Sequence, residues 1–174
     1  MINEEQLDSL MVGEDDPSST YLTFDLGEHI LGIEVQYVRE ILDMQKITRL
    51  PNVPAEVHGV VDLRGVSVPI IDLKSRLGVP PHELGDEARI VVVEVGTDAD
   101  YGLVGVLADR VRNVDQIGAH RIEKPPSVGM RNWDLRIVRG LSRSGSDLIV
   151  LIDITHVFSV DGVEIDLGSG TGIF

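Results

Sequence analysis

Valine and isoleucine dominate this chain: 24 Val and 16 Ile stand against 18 Leu and only 5 Ala in 174 residues. A side chain branched at Cβ loses rotamer freedom against the preceding turn of a helix but packs well on a pleated, half-buried surface. The excess predicts an all-β fold and argues against a helical bundle. Aromatic residues make up only 4% of the chain, so the core is expected to be aliphatic.

The pattern along the chain gives the strands their places. Leu22, Phe24 and Leu26 alternate with polar residues, and Gly27-Glu28-His29 separates them from Ile30 to Val35, which reads as a hairpin. Val35, Val38, Ile41 and Leu42 follow at helical spacing and predict a short helix. A second hairpin is expected from Gly59 to Leu63 and Val66 to Leu73, joined at Arg64-Gly65, where the glycine can take a positive φ. Pro69 predicts that the returning strand is an edge or bulged one. Further strands are expected at Arg89–Val95, Tyr101–Leu107, Leu135–Ser142 and Leu148–Asp153, with Ser144 to Asp147 as the turn before the last.

The two ends differ from the middle. Residues 1–19 carry six acidic side chains and no Lys or Arg, and residues 159–174 finish in Gly168-Ser-Gly-Thr-Gly172. Both are read as flexible tails around one domain over residues 20–158. Within that domain an internal repeat is visible. Leu31 to Ile41 matches Val104 to Val114 at an offset of 73 residues, Arg64-Gly65 matches Arg139-Gly140 at 75, and Ile70 to Leu73 matches Leu151 to Ile154 at 81. Each unit is a meander of about five strands, too short for a large sandwich, so two small five-stranded barrels are expected.

Charge narrows the partners. The balance of 15 Lys+Arg against 29 Asp+Glu leaves the chain at −14, the reverse of a phosphate-binding footprint, so nucleic acid is not an expected partner. Locally the balance inverts: from Arg110 to Arg143 there are eight basic and three acidic residues. That segment is a candidate face for an acidic partner, set against simple distribution of basic side chains around a barrel. With no cysteine there is no disulfide, thiol nucleophile or Cys-based zinc site. The acidic N-terminus does not suit a secretory signal, and the longest apolar-plus-glycine run, Tyr101–Ala108, falls far short of the roughly 20 residues of a membrane span. A cytoplasmic protein with no membrane insertion is expected.

No chemical site stands out in the sequence. The histidines, His29, His58, His82, His120 and His156, lie 24 or more residues apart and are read as solvated or singly hydrogen-bonded. Asp98-Ala-Asp100 followed by Asp109 has the acids of a calcium loop but Leu103 where that loop needs glycine, so a hairpin turn is expected there. The glycine-rich C-terminus has no helix after it to cradle a phosphate. Trp133 is expected to be a core or rim aromatic. No cofactor, metal or catalytic group is expected.

Read as a block, residues 51–73 (PNVPAEVHGVVDLRGVSVPIIDL) resemble the signature of the CheW family of bacterial chemotaxis coupling proteins. Tyr21 to Gly27, Gly32 to Ile41 and Val104 to Val111 support the resemblance, which covers residues 20–158 and departs at Asp62, where the family usually has Asn, and at Leu42-Asp43-Met44, which replaces a more polar or glycine-containing segment. The resemblance implies two intertwined five-stranded β-barrels of the Src-homology-3-like kind with short helices. It also implies an adaptor without chemistry of its own. Its partners would be the cytoplasmic tip of methyl-accepting chemoreceptors and the regulatory domain of the histidine kinase CheA, in arrays at the membrane. Carried over position by position, the receptor-facing residues are Val38, Glu40, Arg64 and Gly65, with Val35 and Ile41 in the groove walls. A helix-receiving groove needs an apolar floor with polar residues fixing register, and the arginine fork suits carboxylates or terminal carbonyls of a helix. Arg64 is expected to be an exposed turn residue whose replacement leaves the core intact. Three other readings stay open: a β-barrel enzyme, which would need a convergent polar pocket; a CheW-like domain separated from a fused receiver or kinase protein, against which the chain's length argues; and a coupling protein serving a non-flagellar chemosensory pathway.

Overall fold

A computed structural model describes residues 20–97, 100–126 and 133–157, with Glu5 besides. Ten strands follow in chain order: β1 (Thr20–Leu26), β2 (His29–Glu34), β3 (Val38–Asp43), β4 (Val57–Leu63), β5 (Val66–Ile71), β6 (Arg89–Thr97), β7 (Asp100–Ala108), β8 (Arg110–Gln116), β9 (Val138–Ser144) and β10 (Asp147–Ile152). They form two five-stranded sheets, ordered β8-β1-β2-β10-β9 and β3-β6-β7-β5-β4. The all-β, two-barrel expectation holds, and the barrels are intertwined: the first takes the two opening and three closing strands, the second the five between. The expected tails, residues 1–19 and 159–174, lie outside the described residues apart from Glu5, as do Asp98 and Ala99 of the β6–β7 turn, which Thr97 and Asp100 close as a pair.

Three apolar clusters explain why Val and Ile are so abundant. Tyr21, Ile30, Ile117, Ile149 and Leu151 pack together on the first sheet. Val61, Leu63, Val68, Ile70, Ile90, Val92 and Leu107 do so on the second. The largest cluster takes residues from both sheets, including Leu22, Phe24 and Leu26 of β1 and Val91, Val93 and Val95 of β6. Ile90 to Val93 are therefore buried on both faces of one strand, and that is why the run shows no polar alternation.

The repeat is real in space, and the sheets correspond strand for strand. Gly32 pairs with Leu151 in one and Gly105 with Ile70 in the other, both in parallel register. A Cβ on Gly32 would lie 2.9 Å from Leu151 Cδ2, and one on Gly105 2.5 Å from Ile70 Cδ1, so the same close approach demands glycine twice. One sequence match does not survive. Arg64 sits in the β4–β5 turn, whereas Arg139 lies near the start of β9. The strand pairings Gly59↔Ile70 and Gly140↔Leu151 make Gly59 the counterpart of Gly140, and Leu63↔Val66 and Ser144↔Asp147 make Gly145 that of Arg64.

Several local readings are corrected. The helix expected from Val35 to Leu42 is a single 3-10 turn, Val35–Tyr37, followed by strand β3. A bulge is the cause. Val38 to Ile41 spans three residues opposite the two-residue step from Val93 to Val91, so Val38 and Ile41 both face the shared core at a spacing that imitates a helix. The same bulge recurs where Val111 and Val114 oppose Phe24 and Leu22, and there it hid strand β8 from the sequence pattern. Pro69 belongs to an interior strand, between β7 and β4. Its partner Val60 donates its N–H to Thr48 O and accepts the Thr48 N–H, each at 2.8 Å, so Val60 and Pro69 form a non-hydrogen-bonded pair. The proline nitrogen thus faces β7, whose pairing with β5 involves only Ile70 and Ile71. Strand β9 begins at Val138, three residues later than expected, because a turn in which Ile137 N–H donates to Asp134 O holds the preceding segment.

Candidate functional site

Strand β3 lies at the open edge of the second sheet, and the β4–β5 hairpin lies on the opposite edge. The tip of that hairpin is tight. Leu63 pairs with Val66, and Arg64 and Gly65 both have positive φ, 50° and 85°. Such a turn matches the twist of the flanking strands, at a cost of about 1–2 kcal/mol for a non-glycine residue in the left-handed region. Asp62 secures it by accepting the Gly65 N–H on Oδ1 at 2.9 Å, so the departure from the family's Asn keeps the acceptor the turn requires.

The turn aims Arg64 back across the barrel edge onto Glu40. Nη2 of Arg64 donates to Glu40 Oε1 at 2.6 Å and Nη1 to Oε2 at 3.4 Å, a two-pronged pairing. The burial of the two partners is unequal. Glu40 is 5% exposed, while the Arg64 side chain is 73% exposed. A buried carboxylate therefore anchors a guanidinium displayed at the surface. Glu40 is thus a buried residue of a strand rather than of the expected helix, and Arg64, exposed in its turn as expected, is also the cation that a buried carboxylate depends on.

The other four predicted residues separate. Gly65 is exposed at the hairpin tip and Ile41 is half-buried against the shared core. Val35 and Val38, each 1% exposed, are wholly inside that core. Their side chains brace β3 from beneath and present almost no surface of their own. The sequence reading missed Val66, which is 53% exposed beside Gly65. It continues the inward face of β5, Val68 and Ile70, past the end of the barrel; an apolar residue directly after a turn glycine was the available signal. Arg39, on the bulge, reaches Glu94 of β6 at 2.7 Å.

Elsewhere the charges are used internally. Arg110 and Arg112 both bind Asp25, Arg139 binds Glu34, and Arg143 lies 3.7 Å from Glu123. The Arg136 guanidinium holds the Asp134 carboxyl below the usual carboxylate range. The basic segment is thus largely paired within the fold rather than gathered into one patch. His58 and His156 bind Asp72 and Asp153, while Trp133 borders the core with its ring edge-on to His29 at 4.9 Å. Among the described residues no three His, Asp or Glu side chains converge as a metal site.

Residues 20–161 match the family model described as CheW-like domain. The chemotaxis protein CheW of Treponema pallidum (strain Nichols) is 31% identical over 142 residues, covering 79% of this chain and 81% of that protein. The chemotaxis protein CheW of Bacillus subtilis (strain 168) is 32% identical over 132 residues, covering 76% and 81%. Among solved structures, the scaffolding protein TtCheW from Thermoanaerobacter tengcongensis superposes with a TM-score of 0.73 at 29% identity, covering 86% of this chain and 93% of that one.

Proposed function

The chain belongs to the CheW-like domain family, and on that premise we infer that it is a chemotaxis coupling scaffold. Its partners, in this reading, are the cytoplasmic tips of methyl-accepting chemoreceptors and the regulatory domain of the histidine kinase CheA. The family is one of non-catalytic adaptors, so the work of the molecule is to hold surfaces in place. Among the described residues no helix is long and apolar enough to cross a membrane. The proposed place of action is the cytoplasmic side of receptor arrays, reached through the partners.

The observation that supports the receptor site is the Glu40–Arg64 pair. A helical hairpin presents carboxylates and terminal carbonyls, and a surface guanidinium fixed by a buried acid meets them with its orientation already set, which lowers the entropy lost on binding. Gly65 leaves the tip open, nothing lying within 4 Å of where its Cβ would be, so a helix can approach the backbone closely. Ile41 and Val66 supply apolar contact nearby.

Separate titrations of the purified chain with a receptor cytoplasmic fragment and with the kinase regulatory domain test this. Saturable binding to both is expected, and Arg64→Ala should weaken the receptor contact about tenfold or more, equivalent to roughly 1.4 kcal/mol, while sparing the kinase contact. Undiminished receptor affinity in a folded Arg64→Ala protein would remove the site assignment. Absence of binding to either partner would remove the function.

A further inference from the structure

His82 lies in the segment between β5 and β6, in the second barrel's part of the chain, yet it contacts the β7–β8 junction and packs close to the β1–β2 turn. Its Nε2 is 2.7 and 2.9 Å from the two carboxylate oxygens of Asp109, and its Nδ1 is 3.1 Å from Pro80 O. Asp109 stands between β7 and β8, where the chain passes from one barrel to the other. It accepts the N–H of Gly27 at 2.6 Å, and its own N–H donates to Asp25 O at 2.9 Å. Gly27, with φ 60°, is pressed against the same segment: a Cβ there would lie 2.6 Å from Val79 Cγ1 and 3.8 Å from His82 Cε1.

Both imidazole nitrogens face oxygen atoms that can only accept. A neutral ring carries one N–H, so one of the two contacts would then set a lone pair against an acceptor; only imidazolium satisfies both. We propose that His82 is a protonation-dependent strap that fastens the β5–β6 segment to the β1–β2 turn through Asp109, closed while the imidazole is charged and loosened as the pH rises.

The charged groups facing the ring are Asp109, which favours imidazolium, and Lys74, which opposes it and is itself paired with Asp72 at 3.2 Å. The Asp109 hydrogen bond, aided by Pro80 O, outweighs partial burial and Lys74 and raises the group above the ordinary imidazole value of 6.5. The strap's stabilisation is fully present below pH 6.5, the value in the unfolded chain, and is lost as the pH rises through the higher folded value.

The test is a proton NMR titration of the full chain, with the His82 ring signal identified by its loss in His82→Gln. The midpoint is expected above 6.5 in the wild type and lower in Asp109→Asn, which keeps an oxygen for the Gly27 N–H but removes the charge. Protection of the Gly27 amide against hydrogen exchange should fall with rising pH in the wild type and stay level in His82→Gln. A wild-type midpoint at or below 6.5, or Gly27 protection with the same pH dependence in His82→Gln, would overturn the proposal.

Discussion

Replacing Gly59 with alanine is expected to cost about 3–5 kcal/mol, a large share of the roughly 5–15 kcal/mol that holds a domain folded. Gly59 has φ 144°, and its missing Cβ would stand 2.2 Å from Thr48 O and 2.8 Å from Thr48 C. Those are backbone atoms of a segment that crosses the edge of β4 and exchanges two hydrogen bonds with Val60, so no side chain can swing aside. Relief requires moving that segment off the barrel and breaking both bonds. Gly65→Ala is the control. It also has positive φ but nothing within 4 Å of the added atom, and should cost only the left-handed conformational penalty, about 1–2 kcal/mol. Urea unfolding of the two variants decides: a Gly59→Ala protein no less stable than Gly65→Ala would contradict the packing described.

The second large effect is an asymmetry across the Glu40–Arg64 pair. Removing one partner of a buried pair typically costs about 3–5 kcal/mol, and exposed pairs contribute about 0–1. This pair is buried at one end only, so Arg64→Ala is expected to cost roughly 1–3 kcal/mol, because a buried carboxylate loses its cation. Glu40→Gln should cost about 1 kcal/mol or less, since the amide oxygen still accepts and Arg64 can turn to water. The double variant should be close to Glu40→Gln alone. Arg64→Glu, which sets a second carboxylate against Glu40, should be the least stable of the series. Equal costs for the two single variants would mean that Glu40 is hydrated and the pair is an ordinary surface contact.

How much of this was legible beforehand differs between turns and strands. Both hairpins, at Gly27 and at Arg64-Gly65, could be read because turn chemistry is local: a residue with positive φ flanked by alternating apolar side chains leaves few other structures. Strands β3 and β8 were missed because one bulge residue in each converts a two-residue period into three. That change is fixed by pairing with β6 and β1, far away in sequence. Glu40 was picked out only through the family resemblance; its burial was invisible because the cation that permits it comes from a hairpin tip 24 residues later. Val35 and Val38 show the converse. Their apolar character was plain, but which apolar residues line a groove and which fill the core beneath depends on how two barrels meet.

The central claim is that one chain holds two partners at once, and a three-component pull-down tests it most directly. Immobilised receptor cytoplasmic fragment should retain the CheA regulatory domain when this chain is present and lose most of it when Arg64→Ala is used instead, with the variant's fold checked by its melt. Retention of the kinase domain at the same level with and without the chain, or binding of the two partners only in competition with each other, would contradict the account.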